Sequence, residues 1–549
     1  MQKFLLFILL LFLPSLLFSQ VAPNSYRIFF TDKNNSEYSI EEPQAFLSTK
    51  AIQRRLKQNI PILENDLPVN TSYLDSLKKL GLTIKNTSKW LNTALVYTTD
   101  AELMDTISQF NFIKSNQKIG PNPKYRNKKK SNCPTKEHQL KVDSIFDYGF
   151  GTTQISMLNG HTLHRNGNMG QNMIIAILDA GFYNVDILPA FDSLWNNNQI
   201  LGTYDFVDGD TMVFDASSHG MKVLSVMGSN IPGELIGTAP KASYWLLRSE
   251  QTASEYSMEE DHWVAAAEFA DSVGADIINT SLGYFEFDDP VLNYTYEDMN
   301  GNSAFITKAA DIAASKGMLV VASAGNQGDD PWKYITAPAD GDSVLTVGSV
   351  NQYAEYSYFS SIGPTFDGRI KPNITAMGYQ TAIQGIDGAI TVSNGTSFSA
   401  PLISGLAACL WQHFPDLNNM EIMRMIEESA HKYSSPDYYT GYGIPDFGKA
   451  ANLTQTNVIS LSENTLLNIF PNPFNDKLII EINRKENIQI NQVELFNITG
   501  QKIKQLNINN PTQDKATLIL DNLNELPSGI YLLKIKMGNQ NLSKKISKL

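Results

Sequence analysis

The pattern of hydrophobic and polar positions divides the chain into three parts. Between about residues 131 and 455, short and nearly continuous apolar runs alternate with longer stretches of helical period. Continuous apolar runs are typical of strands that are buried on both faces of a parallel sheet, which helices then cover. The sequence therefore predicts an α/β domain with a doubly wound parallel sheet. The predicted strands are 173–178, 244–247, 277–282, 318–322 and 344–350, and the predicted helices are 258–272 and 303–315.

Residues 21 to about 120 mix short strand-like runs with amphipathic helical stretches, which predicts a small α+β domain. The predicted strands are 26–30, 94–98 and 112–115, and the predicted helices are 46–57, 72–80 and a third that follows the N-cap residue Asp100 and ends near residue 110. Residues 121–130 then carry two prolines and five basic side chains without an apolar period. This stretch is predicted to be an exposed linker, the kind of segment at which proteolytic cleavage concentrates.

From about residue 460 the pattern changes to short alternating strands separated by turn signals such as Thr499-Gly500 and Pro527-Ser528-Gly529. The predicted strands are 477–482, 492–496, 516–520 and 530–536. Short strands at regular spacing favour a small all-β sandwich. The chain is therefore expected to have three folded parts, 21–130, 131–455 and 460–549, after an N-terminal targeting segment at residues 1–20.

The targeting segment consists of Lys3 followed by an apolar run from Phe4 to Phe18, with Ser19 before a plausible cleavage point. It is interpreted as a secretory signal peptide. The alternative, a membrane anchor, needs about 20 apolar residues, and this run is shorter and contains Pro14. No later segment is long and apolar enough to span a bilayer, so no transmembrane segment is expected in the mature protein.

Composition narrows the class of function. The chain has 549 residues, 42% of them hydrophobic, and a net charge of −13, which is typical of globular domains and does not favour nucleic acid as a partner. Its two cysteines, Cys133 and Cys409, are too few for a disulfide scaffold or a multi-cysteine metal site. The folded parts must be stabilised by packed cores.

Three polar side chains stand where core packing does not require them. Asp179 follows the apolar run 174–178, His219 precedes a helix-like apolar run, and Ser397 lies ahead of the apolar helix 402–411. Each has an ordinary explanation as a turn, structural or capping residue. Together they supply an acid, a base and a hydroxyl at the carboxyl edge of an α/β sheet, where sites commonly form.

The stretches around these residues carry a family resemblance. They are Asp179-Ala180-Gly181, Ser218-His219-Gly220, residues 320–328 with Ala324-Gly325-Asn326, and Gly395-Thr396-Ser397-Phe398-Ser399-Ala400-Pro401. With these motifs, residues 131–455 resemble a subtilisin-like serine peptidase, whose Asp, His, Ser order the chain shares. Two positions depart from the family pattern: Ala180 replaces a Ser or Thr, and Met221 replaces a Thr. Ala180 removes a hydroxyl that would help to orient the carboxylate.

The resemblance implies a role for each residue. Ser397 would attack the peptide carbonyl, and His219, whose ordinary pKa is near working pH, would take its proton. Asp179 would orient the imidazole and stabilise its cationic form. Asn326 would donate a side-chain N–H to the oxyanion, together with the backbone amide of Ser397. No metal takes part in this scheme.

The resemblance also implies a substrate cleft. Two segments would flank the P1 side chain, namely Ser281-Leu282-Gly283 and Ala324-Gly325. The insertion 284–302 carries Glu286, Asp288 and Asp289, and it either favours basic side chains or is only a solvated surface. No cofactor is expected to be required. Structural Ca²⁺ stays open, since neither this insertion nor Asp208-Gly209-Asp210 has the spacing of a recognised calcium loop.

The flanking parts have resemblances of their own. Residues 21–130 resemble, by position and layout, the propeptide that assists folding of these peptidases and blocks their cleft; the alternative is a separate binding domain. Charge favours the propeptide, because residues 21–130 have 17 Lys+Arg against 10 Asp+Glu, a net +7, while residues 131–459 have 14 against 38, a net −24. Opposite charges favour association of the two parts.

Residues 460–549 resemble the C-terminal sorting domain of type IX secretion cargo in Gram-negative bacteria. The resemblance rests on three blocks in order, 470–474, 493–501 and 526–535. A carbohydrate-binding β-sandwich is the alternative. The sorting domain would bring the protein across both membranes, to the cell surface or the medium, with the type IX machinery as a partner.

The sequence therefore predicts a secreted serine endopeptidase that is made as a zymogen and acts on proteins or peptides. Two alternatives stay open. One is a surface binding protein on a peptidase scaffold that has lost its activity, and the other is a serine esterase or peptide ligase that uses the same acyl-enzyme.

Overall fold

The computed structural model describes residues 24–120, 146–252 and 254–453, together with most of the strands and turns within 465–548. The chain forms two compact units, Met1–Leu453 and Thr454–Leu549. The predicted signal peptide, the basic linker 121–130 and Cys133 lie outside the described residues. Within the described part, none of the helices combines the length and the apolar character needed to cross a membrane.

The N-terminal part is an α+β domain built on a four-stranded antiparallel sheet with the order β2-β3-β1-β4. Its elements are β1 Asn24–Phe30, α1 Thr49–Lys57, α2 Thr71–Lys79, β2 Thr83–Ser88, β3 Thr93–Thr98, α3 Leu103–Ile107 and β4 Ile113–Gly120. The polar strand β2 has no apolar alternation and escaped prediction. Helix α3 is shorter than expected, because Asp100 accepts a hydrogen bond from the Glu102 amide and so caps a turn before the helix.

The central part is the predicted doubly wound domain. Seven parallel strands follow the order β13-β12-β11-β10-β5-β9-β6. These strands are β5 Ile174–Asp179, β6 Ile200–Asp205, β9 Ser243–Arg248, β10 Ile277–Thr280, β11 Leu319–Ser323, β12 Val344–Val350 and β13 Ile374–Met377. Sequence analysis missed β6 and β13, which form the two edges of the sheet, where a strand is short or half-exposed and its apolar run is weak.

Helices cover both faces of this sheet. The larger core packs one face against α7, α10, α11 and α12, and the second core packs the other face against α8 and α9. The helices of this part are α4 Thr152–Ser156, α5 His161–Arg165, α6 Asp192–Asn196, α7 His219–Gly228, α8 Met258–Val273, α9 Phe305–Ser315, α10 Thr396–His413, α11 Asn419–Ser429 and α12 Phe447–Asn452. Two short hairpins complete it, β7 Asn230–Ile231 with β8 Leu235–Ile236, and β14 Thr381–Gln384 with β15 Ile390–Ser393.

The C-terminal unit is the predicted β-sandwich. Two antiparallel sheets, with the orders β16-β17-β20 and β19-β18-β21-β22, enclose one apolar core that includes Phe474, Ile480, Val493 and Leu533. Its strands are β16 Thr465–Phe470, β17 Leu478–Arg484, β18 Ile490–Asn497, β19 Lys502–Asn507, β20 Lys515–Leu520, β21 Gly529–Met537 and β22 Gln540–Lys548.

Parallel strands place their carboxyl ends at one edge of the sheet. Strand β5 ends there at Asp179, and β10 and β11 end beside it at Thr280 and Ser323. Helices α7 and α10 begin at the same edge with His219 and Thr396. The fold therefore collects the polar residues that the sequence singled out.

Candidate active site

The acid and the base are in direct contact. His219 Nδ1 lies 2.7 Å from Asp179 Oδ1, and the Asp179 side chain is fully buried while the His219 side chain is 32% exposed. The Ala180 amide donates a second hydrogen bond of 2.7 Å to the same carboxylate oxygen. A buried carboxylate thus holds one ring nitrogen, and the other side of the imidazole faces the cleft.

Two glycines allow this close approach. A side-chain carbon on Gly220 would lie 2.6 Å from the Gly181 carbonyl oxygen and 2.9 Å from Asp179 Cβ, so only glycine lets the first turn of α7 reach the end of β5. Gly181 has a φ of +140°, in the region that disfavours other residues. The amide of His219 donates to Ser217 Oγ at 3.1 Å, which fixes the start of the helix.

The electrostatics of His219 favour its protonated form. Burial lowers the pKa of this imidazole, but the negative charge and the hydrogen bond of Asp179 outweigh burial, so the net pKa is raised above its usual value. Lys222, one turn along the helix, opposes the rise slightly. The pair is therefore suited to accept a proton and to hold the resulting charge.

Ser397 is the second residue of α10 and is 7% exposed. Pro401 lies four residues later and has no N–H to donate to the Ser397 carbonyl. That carbonyl accepts a hydrogen bond of 2.9 Å from Ser281 Oγ instead, and the Ser397 hydroxyl donates to the Ser281 carbonyl at 3.3 Å. This pairing explains why the predicted strand 277–282 ends at Thr280: Ser281 leaves the sheet to bind the serine helix.

Within the described residues, the Ser397 hydroxyl makes no hydrogen bond to His219. The start of α10 is nevertheless close to His219: the ring of Phe398, the residue that follows Ser397, lies 6.1 Å from the His219 ring, measured between centroids. Catalytic hydrogen bonds are often long or unmade before substrate binds. Rotation about the Cα–Cβ bond of Ser397 changes the direction of its hydroxyl without moving the helix.

Asn326 is fixed by its side-chain oxygen. Its Oδ1 accepts hydrogen bonds from the Thr396 amide at 2.9 Å and from Thr396 Oγ1 at 3.0 Å. Its Nδ2 is left beside Gly395, where a side-chain carbon would lie 3.7 Å away. The free N–H of Asn326 and the unpaired amide of Ser397 in the first turn of α10 therefore lie at the same helix N-terminus.

The two predicted walls of the cleft both meet the start of α10. Ser281 binds Ser397 directly, and the Gly325 amide donates to Thr396 Oγ1 at 3.2 Å. Leu282 is half-buried and Gly283 exposed beyond Ser281, while Ala324 is buried and bonded to Val347 of β12.

Thr336, which sequence analysis did not identify, lies between the two predicted walls of the cleft, at Gly283 and Gly325. A side-chain carbon on Gly283 would lie 2.2 Å from Thr336 Oγ1, and one on Gly325 would lie 3.1 Å from the same atom. This hydroxyl is buried and has no hydrogen-bond partner in the described part of the chain. No sequence signal marks Thr336, because only tertiary folding brings its loop between the two glycines.

One departure from the family pattern has a visible consequence. With alanine at position 180, both hydrogen bonds to the Asp179 carboxylate reach Oδ1, and its buried Oδ2 has no partner among the described residues. Met221 is fully buried in the larger core, so its role is packing. The free thiol of Cys409 is likewise buried, as expected for a structural residue.

The acidic residues considered for calcium are explained by other contacts. Asp208 forms an ion pair with Arg248 at 2.7 Å, and Asp289 caps a short helical turn. Among the described residues, the one group of three or more candidate metal ligands is Glu250, Glu255 and Glu259, whose carboxylate oxygens lie within 4.8 Å of one another. Both oxygens of Glu259 accept backbone N–H groups, and Glu250 accepts the Tyr284 hydroxyl, so the chain itself supplies their partners.

The N-terminal domain packs on helix α8, which covers one face of the central sheet, and buried ion pairs join the two. Asp271 of α8 forms ion pairs with Arg54, Arg55 and Lys89, and Asp261 of the same helix forms one with Arg27 at 2.6 Å. All of these side chains are at most 9% exposed. Strand β4 ends at Gly120, close to Met258 at the start of α8. The positive N-terminal domain therefore meets the negative central domain as the charge count predicted.

Three sequence profiles match consecutive parts of the chain. They are the peptidase S8 propeptide domain of Bacteroidota at residues 25–136, the subtilase family at residues 170–443, and the secretion system C-terminal sorting domain at residues 468–548.

Curated relatives and a solved structure agree with the profiles. Subtilisin NAT of Bacillus subtilis subsp. natto is 29% identical over 303 residues, which cover 54% of this chain and 70% of the relative. Subtilisin of Bacillus pumilus is 29% identical over 303 residues, which cover 54% of this chain and 97% of the relative. The epidermin leader peptide processing serine protease of Staphylococcus aureus shares the fold, with a TM-score of 0.53 at 18% identity, over 78% of this chain and 98% of its own.

The sorting domain indicates export to the cell surface or the medium. The doubly wound sheet, the matching profiles and the related peptidases together lead to one conclusion: the chain belongs to the subtilase family of serine endopeptidases and carries a peptidase S8 propeptide domain and a type IX secretion sorting domain.

Proposed function

We propose that Asp179, His219 and Ser397 form the catalytic triad, with Asn326 in the oxyanion hole, and that the protein is made as a zymogen. The observation that carries the proposal is the buried Asp179–His219 pair, 2.7 Å apart, placed at the N-terminus of the helix that bears Ser397. Asp179 holds Nδ1, which leaves the second ring nitrogen of His219 as the base.

The chemistry follows from these positions. Ser397 Oγ attacks the peptide carbonyl while His219 takes its proton, and the imidazolium then protonates the leaving amine. Water repeats the sequence on the acyl-enzyme with His219 again as base. Charge develops on the former carbonyl oxygen, which Asn326 Nδ2 and the Ser397 amide stabilise. The Ser397–Ser281 hydrogen bond must break for attack, and Ser281 then continues to hold the helix through its own hydroxyl.

The substrate is proposed to lie between Ser281-Leu282-Gly283 and Ala324-Gly325. Gly283 and Gly325 let the Thr336 side chain pack closely between them, and the exposed backbone near Gly283 is available to an extended peptide. The N-terminal domain is proposed to act as the propeptide that blocks this cleft, and the basic linker 121–130 is proposed to be its processing region.

The test is covalent labelling. We expect a fluorophosphonate probe to label the processed protein at Ser397 and the same protein to cleave casein. A protein that is not labelled would be a binding protein without activity, and a protein that is labelled but leaves casein intact would be an esterase or ligase. Either result would contradict the proposed peptidase mechanism.

Substitution of the oxyanion donor tests a single hydrogen bond. Asn326→Ala is expected to lower kcat by about 10²- to 10³-fold with little change in KM, because the donor acts on charge that forms only in the transition state. Asn166→Ala is the control, because Asn166 is exposed at the end of α5 and its side chain makes no hydrogen bond among the described residues. The oxyanion assignment is wrong if the two variants lose the same activity, or if the loss at Asn326 is in KM.

The pH profile tests the base. Because the neutral imidazole is required and Asp179 raises the pKa of His219, kcat/KM is expected to rise with pH through a midpoint above about 6.5. Removal of the raising charge in Asp179→Ala should move the midpoint of the residual activity downward. Removal of the opposing charge in Lys222→Ala should move it slightly upward at full activity. If the midpoints of the Asp179→Ala and Lys222→Ala variants moved in the same direction, the assignment of His219 as the base would be contradicted.

A further inference from the structure

Four exposed aromatic side chains lie on two segments of the central domain that contact each other. Tyr358 is 62% exposed, Tyr439 54%, Phe366 50% and Tyr438 45%. They come from the loop that follows β12 and from the turn after α11. Such large side chains seldom gather at a surface without a binding role. We call these four residues the aromatic surface.

Contacts join the segments that carry this aromatic patch. The rings of Tyr439 and Tyr356 meet edge to face with centroids 5.4 Å apart, and the Gly363 amide donates to the Tyr438 carbonyl at 2.9 Å. Phe366 packs edge to face on Tyr296, at 5.6 Å.

A second layer of aromatic rings supports the patch. Tyr296 stacks on Tyr334 at 3.9 Å and donates its hydroxyl to the Pro364 carbonyl at 3.0 Å. Both supporting rings are half-buried. The exposed rings are therefore held in place before any partner binds, which lowers the entropy lost on binding.

The patch is continuous with the proposed cleft. The loop that bears Tyr358 is fastened to the segment that bears Asn326: the Ser361 amide donates to the Gly325 carbonyl at 3.0 Å, and the Gly328 amide donates to the Phe359 carbonyl at 2.8 Å. The segment that bears Tyr358 is therefore attached directly to the loop of Asn326.

Charge around the patch selects among partners. Exposed carboxylates border it at Asp329, Asp330, Glu355 and Asp367. Arg369 pairs with Asp367 at 2.8 Å and Lys432 with Asp437 at 2.8 Å, while the exposed Lys333 has no ion pair among the described residues. The carboxylates of Asp329, Asp330 and Glu355, which also have no ion pair in the described part, outnumber this one cation. Flat tyrosine rings with acidic neighbours suit an extended proline-containing chain with lysine or arginine, because proline rings stack on aromatic faces and the cations meet the carboxylates.

We propose that the aromatic surface is an exosite that binds proline-rich, basic segments of the polypeptide substrate outside the catalytic cleft. Residues Tyr358 and Tyr439 form its centre. The proposal rests on the proposed function in one respect only, that the cleft admits a polypeptide.

The binding test does not depend on catalysis. In the full chain with Ser397→Ala, a fluorescent (Pro-Pro-Lys)₄ peptide is expected to bind at least about tenfold more tightly than (Ser-Gly-Lys)₄ or (Pro-Pro-Glu)₄. Tyr358→Ala and Tyr439→Ala should each weaken that binding by about five- to tenfold, since each removes an aromatic stacking contact. Phe150→Ala, which removes another exposed aromatic side chain, 47% exposed, is the matched control and should leave binding unchanged.

A kinetic arm connects the exosite to substrate choice. With two substrates that share one cleavage sequence and differ only in a Pro-Pro-Lys or Ser-Gly-Lys extension, the processed enzyme should show a lower KM for the first, and Tyr358→Ala should erase the difference without changing kcat on an unextended peptide. Equal binding of the three peptides, or tyrosine variants without effect, would overturn the proposal. So would a patch that binds neutral cellohexaose in place of the peptide. A loss of all hydrolysis with peptide binding intact would instead count against the proposed triad.

Discussion

Ser397→Ala is expected to abolish peptide hydrolysis and to leave the propeptide covalently attached. The serine supplies the attacking oxygen, and none of its neighbours in the cleft replaces it. The expected loss in kcat is roughly 10⁶-fold, a scale taken over from the related enzyme subtilisin. Because the serine side chain is small and buried at a helix start, the alanine should fit without a change in stability.

The measurements are casein cleavage, and the mass of the protein recovered from the medium. Ser399→Ala, two residues along the same helix, is the matched control, and it should keep both activity and processing. The zymogen proposal fails if Ser397→Ala is recovered without residues of the propeptide from cells that lack other proteases. The triad proposal fails if this variant retains more than a trace of activity after purification.

Asp271→Ala is expected to destabilise the association of the propeptide with the central domain more than any other single change at that interface. Burial raises the pKa of Asp271, but Lys89, Arg54 and Arg55 outweigh it and hold the pKa well below its usual range. Removal of this carboxylate would leave three buried cations without their shared partner. Breaking such a buried pair typically costs about 3–5 kcal/mol.

The measurement is chemical unfolding of the precursor in the Ser397→Ala background, where the propeptide cannot be removed. Asp416→Ala is the control, because Asp416 pairs with Lys57 of the same propeptide helix at 3.9 Å in an exposed position, where an ion pair contributes little. Equal stability of the two variants would show that Asp271 is not the centre of the interface.

The same ion pairs have a defined pH dependence. A carboxyl group whose pKa is lowered on association contributes stability above its free pKa, and this contribution is lost as the pH falls through the lowered value. For Asp271 that loss begins as the pH falls below the ordinary carboxyl pKa of about 4 and is complete only in stronger acid. Near neutral pH the contribution of Asp271 is therefore fully present, and titration of this carboxyl does not weaken the association.

The elements that sequence analysis predicted correctly share a physical cause. Strands β5, β10, β11 and β12 are buried on both faces, so their apolar runs are visible in the sequence. Strands β6 and β2 carry no such signal, because most of their side chains are half-buried or exposed and pairing with a neighbour makes them strands. Strand β13 is buried, but it has only four residues and Thr375 interrupts its apolar run.

The site divides in the same way. Short motifs in the sequence contain all four residues proposed for the chemistry, namely Asp179, His219, Asn326 and Ser397. The glycines and the proline of these motifs are explained by nearby backbone geometry, such as the missing N–H of Pro401. Thr336 has no motif, and its buried hydroxyl reaches the cleft only because its loop packs between Gly283 and Gly325. The exact resting partner of Ser397, the Ser281 carbonyl, is also a tertiary contact.

The sequence by itself determined the family, the order of the parts, the residues proposed for catalysis and the opposite net charges of the propeptide and the central domain. Only the tertiary structure decided which carboxylates receive the propeptide cations, which oxygen of Asp179 stays without a partner, and that distant tyrosines gather beside the cleft. The reason is physical: local motifs record backbone geometry and chemistry within a few residues, whereas contacts between residues far apart in the chain depend on how helices and loops pack.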